Sequence, residues 1–176
     1  MSRQFSFLEI TMKTIVVHTV TYFLAGIWAL VVFDYGAQFA DPDFSLPMRQ
    51  LDDPLVRAGV LFQPLRGLLF GAVFYALRSV LFRPKDGWLI MWMLLVFVGI
   101  FSTFGPAPAS IEGLVYLTIP WRDQLGGISE IMIQSFVFAF VLYIWVAGAR
   151  RRWLDWLLGL AFGVILLLAI MGLIFA

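Results

Sequence analysis

The sequence predicts an all-α integral membrane protein: a polytopic transmembrane helical bundle of five spanning helices plus one short interfacial or re-entrant helix. Of its 176 residues, 62% are hydrophobic and 13% charged, with a mean hydropathy of +0.94; soluble domains hold roughly 45–50% apolar residues. The apolar residues gather in five stretches, approximately 14–34, 58–82, 87–104, 129–149 and 153–175. Each is close to the roughly 20 residues that a helix needs to cross about 30 Å of hydrocarbon. The 7 Trp and 18 Phe suit a surface that faces acyl chains, with aromatic rings at the headgroup level. With no repeat and no soluble appendage, 1–176 reads as a single integral membrane domain.

The first stretch follows Lys13 and stops at Asp34-Tyr35. Its run of about 20 residues exceeds the roughly 7–15 of a signal-peptide core, so it reads as an anchor. The second is introduced by Asp53-Pro54, an N-cap followed by proline at the first helical position. "PLVRAGVLF" then leads inward, and Pro64 removes a hydrogen bond near the carbonyl of Val60, which predicts a kink. Asp86 is placed to cap the third stretch, and Ser129 with Glu130 to start the fourth. Between them Ser110 is an N-cap candidate for "IEGLVYLTI", which is too short to span and is stopped by Pro120. Gly67/Gly71 and Gly159/Gly163 both fit the small-xxx-small pattern for close helix approach. Packing within the bundle is favoured over dimerisation.

Lys and Arg set the orientation. An N-in chain puts Arg3, Lys13, Arg78, Arg83, Lys85, Arg150, Arg151 and Arg152 inside and Arg49, Arg57, Arg66 and Arg122 outside. This imbalance favours a cytoplasmic N-terminus and an external C-terminus, in a cell (cytoplasmic) membrane of bacterial style. The outer loops, 35–57 and 105–128, are then the longer ones.

Composition closes several routes. The chain has no Cys, which excludes disulfides, thiolate nucleophiles and cysteine-ligated metal. It has no Asn, hence no glycosylation acceptor. A net charge of +1 with one basic run, Arg150–Arg152, points away from nucleic acid. One His excludes two axial histidines on a haem and leaves one axial histidine without support, and Asp41, Asp43, Asp52 and Asp53 lack calcium-loop spacing. No metal and no cofactor are expected, and no nucleophile-elbow, phosphate-loop or zinc-protease pattern is present. Acids at outer helix ends are similar to those of membrane aspartyl peptidases such as the lipoprotein signal peptidases. The asparagine-containing motifs of that family are absent, so no catalytic residue is carried over.

The polar residues left in oily surroundings are the candidate site. Gln63 and Arg66 are three apart and Glu130 and Gln134 four apart, so each pair shares a helix face. Ser102 ends the third stretch, and Ser110 and Glu112 lie in "STFGPAPASIEG". If the second helix leaves lipid near Arg83, Arg66 stands ~25 Å up, just below the outer edge. Gln63, Arg66, Ser102, Glu112, Glu130 and Gln134 are therefore expected to form one polar pocket at the outer face. Arg66 has three readings: an ion pair with Glu130 or Glu112, snorkelling, or recognition of an anionic group such as a lipid phosphate or carboxylate. Secondary candidates are Asp53 and Arg57 at the start of the second helix, and His18. His18 lies about one turn in from the inner side on a stripe with Thr11, Thr14 and Thr21. The function expected first is binding of an anionic lipid or a partner membrane protein. The alternatives are a small transporter or channel running from the pocket to the His18 stripe, and an intramembrane enzyme for a lipid-linked substrate, with Glu112 or Glu130 as acid or base.

Overall fold

A computed structural model describes residues 5–32, 49, 52–149 and 151–175, with backbone only at 122, 123 and 125–127. Arg3, Asp34, Tyr35, Asp41, Asp43 and Arg150 lie outside the described residues. Every regular element among the described residues is helical. In chain order these are α1 (Phe7–Val32), α2 (Pro54–Arg57), a 3-10 stretch (Ala58–Phe62), α3 (Gln63–Ala76) and α4 (Arg78–Leu81). They are followed by α5 (Gly87–Met93), a π-helical segment (Leu94–Phe101), α6 (Ile111–Tyr116), α7 (Trp121–Ala147) and α8 (Arg152–Ile174).

Among the described residues four helical runs are long and apolar enough to cross a membrane: Phe7–Val32, Pro54–Ala76, Ile128–Ala147 and Arg152–Ile174. The fifth, Gly87–Phe101, is shorter, at most about 22 Å even at the α-helical rise. Its second half is π-helical, and the Ser102 N–H still bonds to Phe97 O. Asp86 takes the N-cap position of α5 without a side-chain bond to the helix. α7 begins at Trp121, ahead of the Ser129 start expected from sequence. Gly126-Gly127 reads as a breaker, but buried Gln124 fixes the first turns: its Nε2 donates to Ile119 O and its Oε1 accepts from Ala109 N.

The Asp53 cap forms as the sequence predicts, with Asp53 Oδ1 accepting from Leu55 N at 2.7 Å. Ahead of Pro64 the chain tightens into 3-10 turns before α3 restarts with Pro64 in its first turn. α3 stops at Ala76, well short of residue 82.

α1 and α3 run antiparallel and approach to backbone contact. A Cβ on Gly67 would lie 2.7 Å from Ile15 Cα, and one on Gly71 would lie 2.8 Å from Thr11 Cα. Gly159 and Gly163 have nothing within 4 Å, so only the first glycine pair serves packing inside this chain. α7 packs on the other flank of α1, and α8 also rests on α1.

The apolar core is polarised toward one end. Ile10, Val17, Phe74, Met91, Phe138 and Leu142 belong to one buried cluster in the half that holds Lys13 and Trp145. Lys13 Nζ donates to Glu9 Oε1 at 2.8 Å and to Trp145 O at 2.9 Å, and Trp145 Nε1 donates to Asp155 Oδ1 at 2.6 Å. Tyr143 Oη donates to Pro84 O at 2.7 Å. This end, tied across α1, α7 and α8, is the closed end.

Two outcomes test these packing statements. Gly67→Ala or Gly71→Ala should destabilise the protein by ~1–3 kcal/mol through overpacking. Gly159→Ala should be neutral, or stabilising by up to about 1 kcal/mol through helix propensity. Denaturant unfolding in mixed micelles measures both. The second outcome concerns Asp53, whose carboxyl is held below its ordinary 3.8 by the Leu55 N–H and then by Arg49, 2.9 Å away. A depressed folded value stabilises the helix start above 3.8, and that contribution is lost as pH falls through the folded value. Leu55 amide protection, corrected for intrinsic exchange, should stay flat at neutral pH and collapse only in acid; Asp53→Ala should lack it throughout.

Candidate functional site

The α1–α3 seam sets the register of the site. From Gly71 on Thr11 and Gly67 on Ile15, one further turn brings Gln63 against His18, with His18 Nε2 3.2 Å from Gln63 Oε1. The 3-10 turns orient that amide. The Gln63 backbone N–H bonds to Val60 O, while its side-chain Nε2 donates to Gly59 O at 3.0 Å. With its NH2 so engaged, Gln63 presents an oxygen to the ring, and the bond selects the His18 tautomer with hydrogen on Nε2. Both residues are buried. Phe70 meets the imidazole edge-on at 5.1 Å, and Phe138 lies 5.2 Å away.

Beside this pair is a cavity of about 290 Å³. His18 contributes its α1 wall and Arg66, Leu69 and Phe70 its α3 wall; Leu95, Gly99 and Ile100 come from the π segment, and Ile131, Gln134, Ser135 and Phe138 from α7. Arg66 is exposed toward this space, with its Cζ 5.5 Å from the Phe70 ring centroid. Among the described residues Arg66 has no hydrogen-bond or salt-bridge partner. The ion pair expected with Glu130 or Glu112 therefore does not form. Tyr22 lies within electrostatic range of both Arg66 and Glu130. Glu130 is engaged in an interaction of its own, and neither glutamate lines the cavity.

Of the six residues expected to form one pocket, Arg66 and Gln134 line this cavity and Gln63 stands beside it, while Ser102, Glu112 and Glu130 are not among its lining residues. Gln63 and Arg66 belong to the His18 layer of the bundle, because α3 ends at Ala76 and a count from Arg83 puts Arg66 too far out. Ser102 is exposed past the end of the π segment. Asp53 is a helix cap and Arg57 is exposed in the last turn of α2. "STFGPAPASIEG" is a clasp that shapes the loop. Buried Ser110 donates to Ala107 O at 2.7 Å and accepts from the Gly113 and Ala107 amides, with Ala109 held at a φ of 70°. Ser110 caps α6 as the sequence predicts, and Glu112 stands half-buried on that helix.

Thr11 and Thr14 of the threonine stripe do not line the cavity. Thr14 and Thr21 donate to Ile10 O and Val17 O of their own helix, and Thr11 and Thr14 are buried in the packed half. His18 Nδ1 is buried without a partner. A second groove of about 330 Å³, lined by Thr21, Leu24, Ala25, Trp28, Ile133, Gln134 and Val137, shares Gln134 with the cavity. Ser135, Phe70, Phe138 and Gly99 are cavity residues that the polar-residue search passed over. Ile131, Gln134, Ser135 and Phe138 recur at i, i+3, i+4 and i+7, the signal of a single helix face. Among the described residues no three His, Cys, Asp or Glu side chains gather as a metal set.

Comparison of the chain with protein-family models, with curated proteins and with solved structures finds no match.

Gln63→Leu should destabilise the protein by ~1–3 kcal/mol, because it leaves His18 Nε2–H buried and unbonded. The double variant with His18→Leu should recover most of that loss, since both polar partners are then gone. Unfolding free energies of the three variants give the coupling.

Proposed function

We propose that this chain is a multi-pass membrane protein that binds an anionic group in its intramembrane cavity, with Arg66 as the recognition residue. The observation that carries this reading is a guanidinium that faces a cavity and has no ion-pair partner within 4 Å among the described residues. An arginine within the hydrocarbon carries an insertion cost that reaches ~2.5–3.5 kcal/mol only at the centre, and an arriving carboxylate or phosphate offsets the smaller cost in the inner leaflet through two charge-assisted hydrogen bonds. Gln134 supplies a further amide on the facing helix. Ser135 donates to Met132 O and offers its oxygen as an acceptor.

On this reading the short α5–π run is a third crossing beside the four longer runs, and the balance of Lys and Arg favours an N-terminus in the cytoplasm. Lys13 to Val32 is about 28 Å long, close to the hydrocarbon thickness. His18 then lies inside the inner leaflet, with Gln134 deeper. The cavity serves binding better than conduction, because Phe74, Met91, Phe138 and Leu142 close the space toward Lys13. It serves binding better than general acid or base catalysis, because among the described residues no carboxylate lines it and the Nε2 of its one histidine, His18, is engaged by Gln63.

Arg66→Gln should weaken binding of oleate or dioleoyl phosphatidate, titrated into nanodiscs of zwitterionic lipid, by about tenfold or more. Arg66→Lys should lose less but still measurable affinity, since a point charge replaces a planar fork. Wild-type affinity in a folded Arg66→Gln protein would overturn the proposal.

A further inference from the structure

Resting on that reading, the geometry points to a ligand that is a membrane-dissolved amphiphile, entering from the bilayer between α3 and the π segment and leaving its apolar chain in that gap. α3 has a packed seam with α1 but none with the π segment. The walls that face each other across this opening are apolar: Leu69 and Phe70 on one side, Leu95, Gly99 and Ile100 on the other. Arg66 stands at its edge, one turn from Leu69, and both are exposed. A cation at the mouth of an apolar slot matches the two halves of an anionic amphiphile, whereas a water-borne anion would leave the slot unmatched.

Gly99 is a position in this wall with room for a side chain. It lines the cavity, and a Cβ placed there would meet nothing within 4 Å. A larger side chain at Gly99 would therefore project into the ligand's space without forcing the backbone to move. The π-helical turn that carries it is of a kind found often at functional sites.

The chain has no cysteine, so Gly99→Cys gives a single reporter with no background to remove. In nanodiscs this variant should react with a lipid-partitioning maleimide, resist a charged thiosulfonate added from water, and be protected by oleate. Gly99→Leu should weaken oleate and oleoyl lysophosphatidate, the carboxylate and phosphate forms of the same chemistry, by about tenfold. Leu69→Trp repeats the blockade from the opposite wall should Gly99→Leu not fold. Inorganic phosphate and acetate in the buffer should not displace oleate. Rapid labelling by the charged reagent, displacement by the small anions, or unchanged oleate binding in both blocked variants would overturn the bilayer route. If Arg66→Gln still abolished binding in that event, anion recognition would stand and only the route would fall; if Arg66→Gln bound normally, the underlying reading would fail as well.

Discussion

The backbone contact between α3 and α1 at Gly67 and Gly71 fixes the rest of this bundle. Without side chains at those two positions the helices meet at Ile15 and Thr11, and the antiparallel register that results puts Gln63 on His18. It also turns Arg66, on the neighbouring face of α3, away from α1 and toward the space bounded by α7 and the π segment. A side chain at either glycine would separate the helices and uncouple the two polar residues. Close packing, normally an argument about stability, here decides where the polar groups of an oily chain end up.

The two polar groups of α3 are treated in opposite ways. Gln63 is fully used: its oxygen faces His18 and its nitrogen the freed carbonyl of the 3-10 turn. Arg66 is left with an aromatic face and an open space. A low-dielectric interior penalises an uncompensated charge far more than an amide, so the asymmetry supports the proposed binding role of Arg66 and a structural role for the His18–Gln63 pair. The polarity of the packing agrees. The Lys13 end is tied by Glu9, Trp145 and Asp155, while the α3–π flank lacks a seam, so access lies to the side.

Local chemistry was legible in the sequence, and depth was not. Asp53 and Ser110 act as caps because a short oxygen-bearing side chain ahead of a helix has one good use. The glycine pair of α3 is recognisable for a similar reason. The depth of Arg66 depends on where α3 ends, and the break at Leu77 between α3 and the short α4 falls inside a stretch that reads as one span through Phe82. The extent of the third helix was obscured because a π-helical turn has no compositional mark in "LLVFVGIF". α7 starts early because Gln124 bonds to a loop distant in sequence, a contact that no local pattern encodes. "STFGPAPASIEG" attracts attention as a site for its polar residues, yet it spends them on its own backbone.

The central claim is that the counter-charge of Arg66 comes from outside the chain. Magic-angle-spinning NMR on vesicles containing carboxyl-labelled oleate, with labelled arginine guanidinium and glutamate carboxyl carbons and with Arg66→Lys to assign the signal, measures it directly. The account predicts a guanidinium-to-carboxylate approach within about 4 Å from the oleate carbon and none from a glutamate. The same approach from a glutamate carbon, unchanged by oleate, would contradict it.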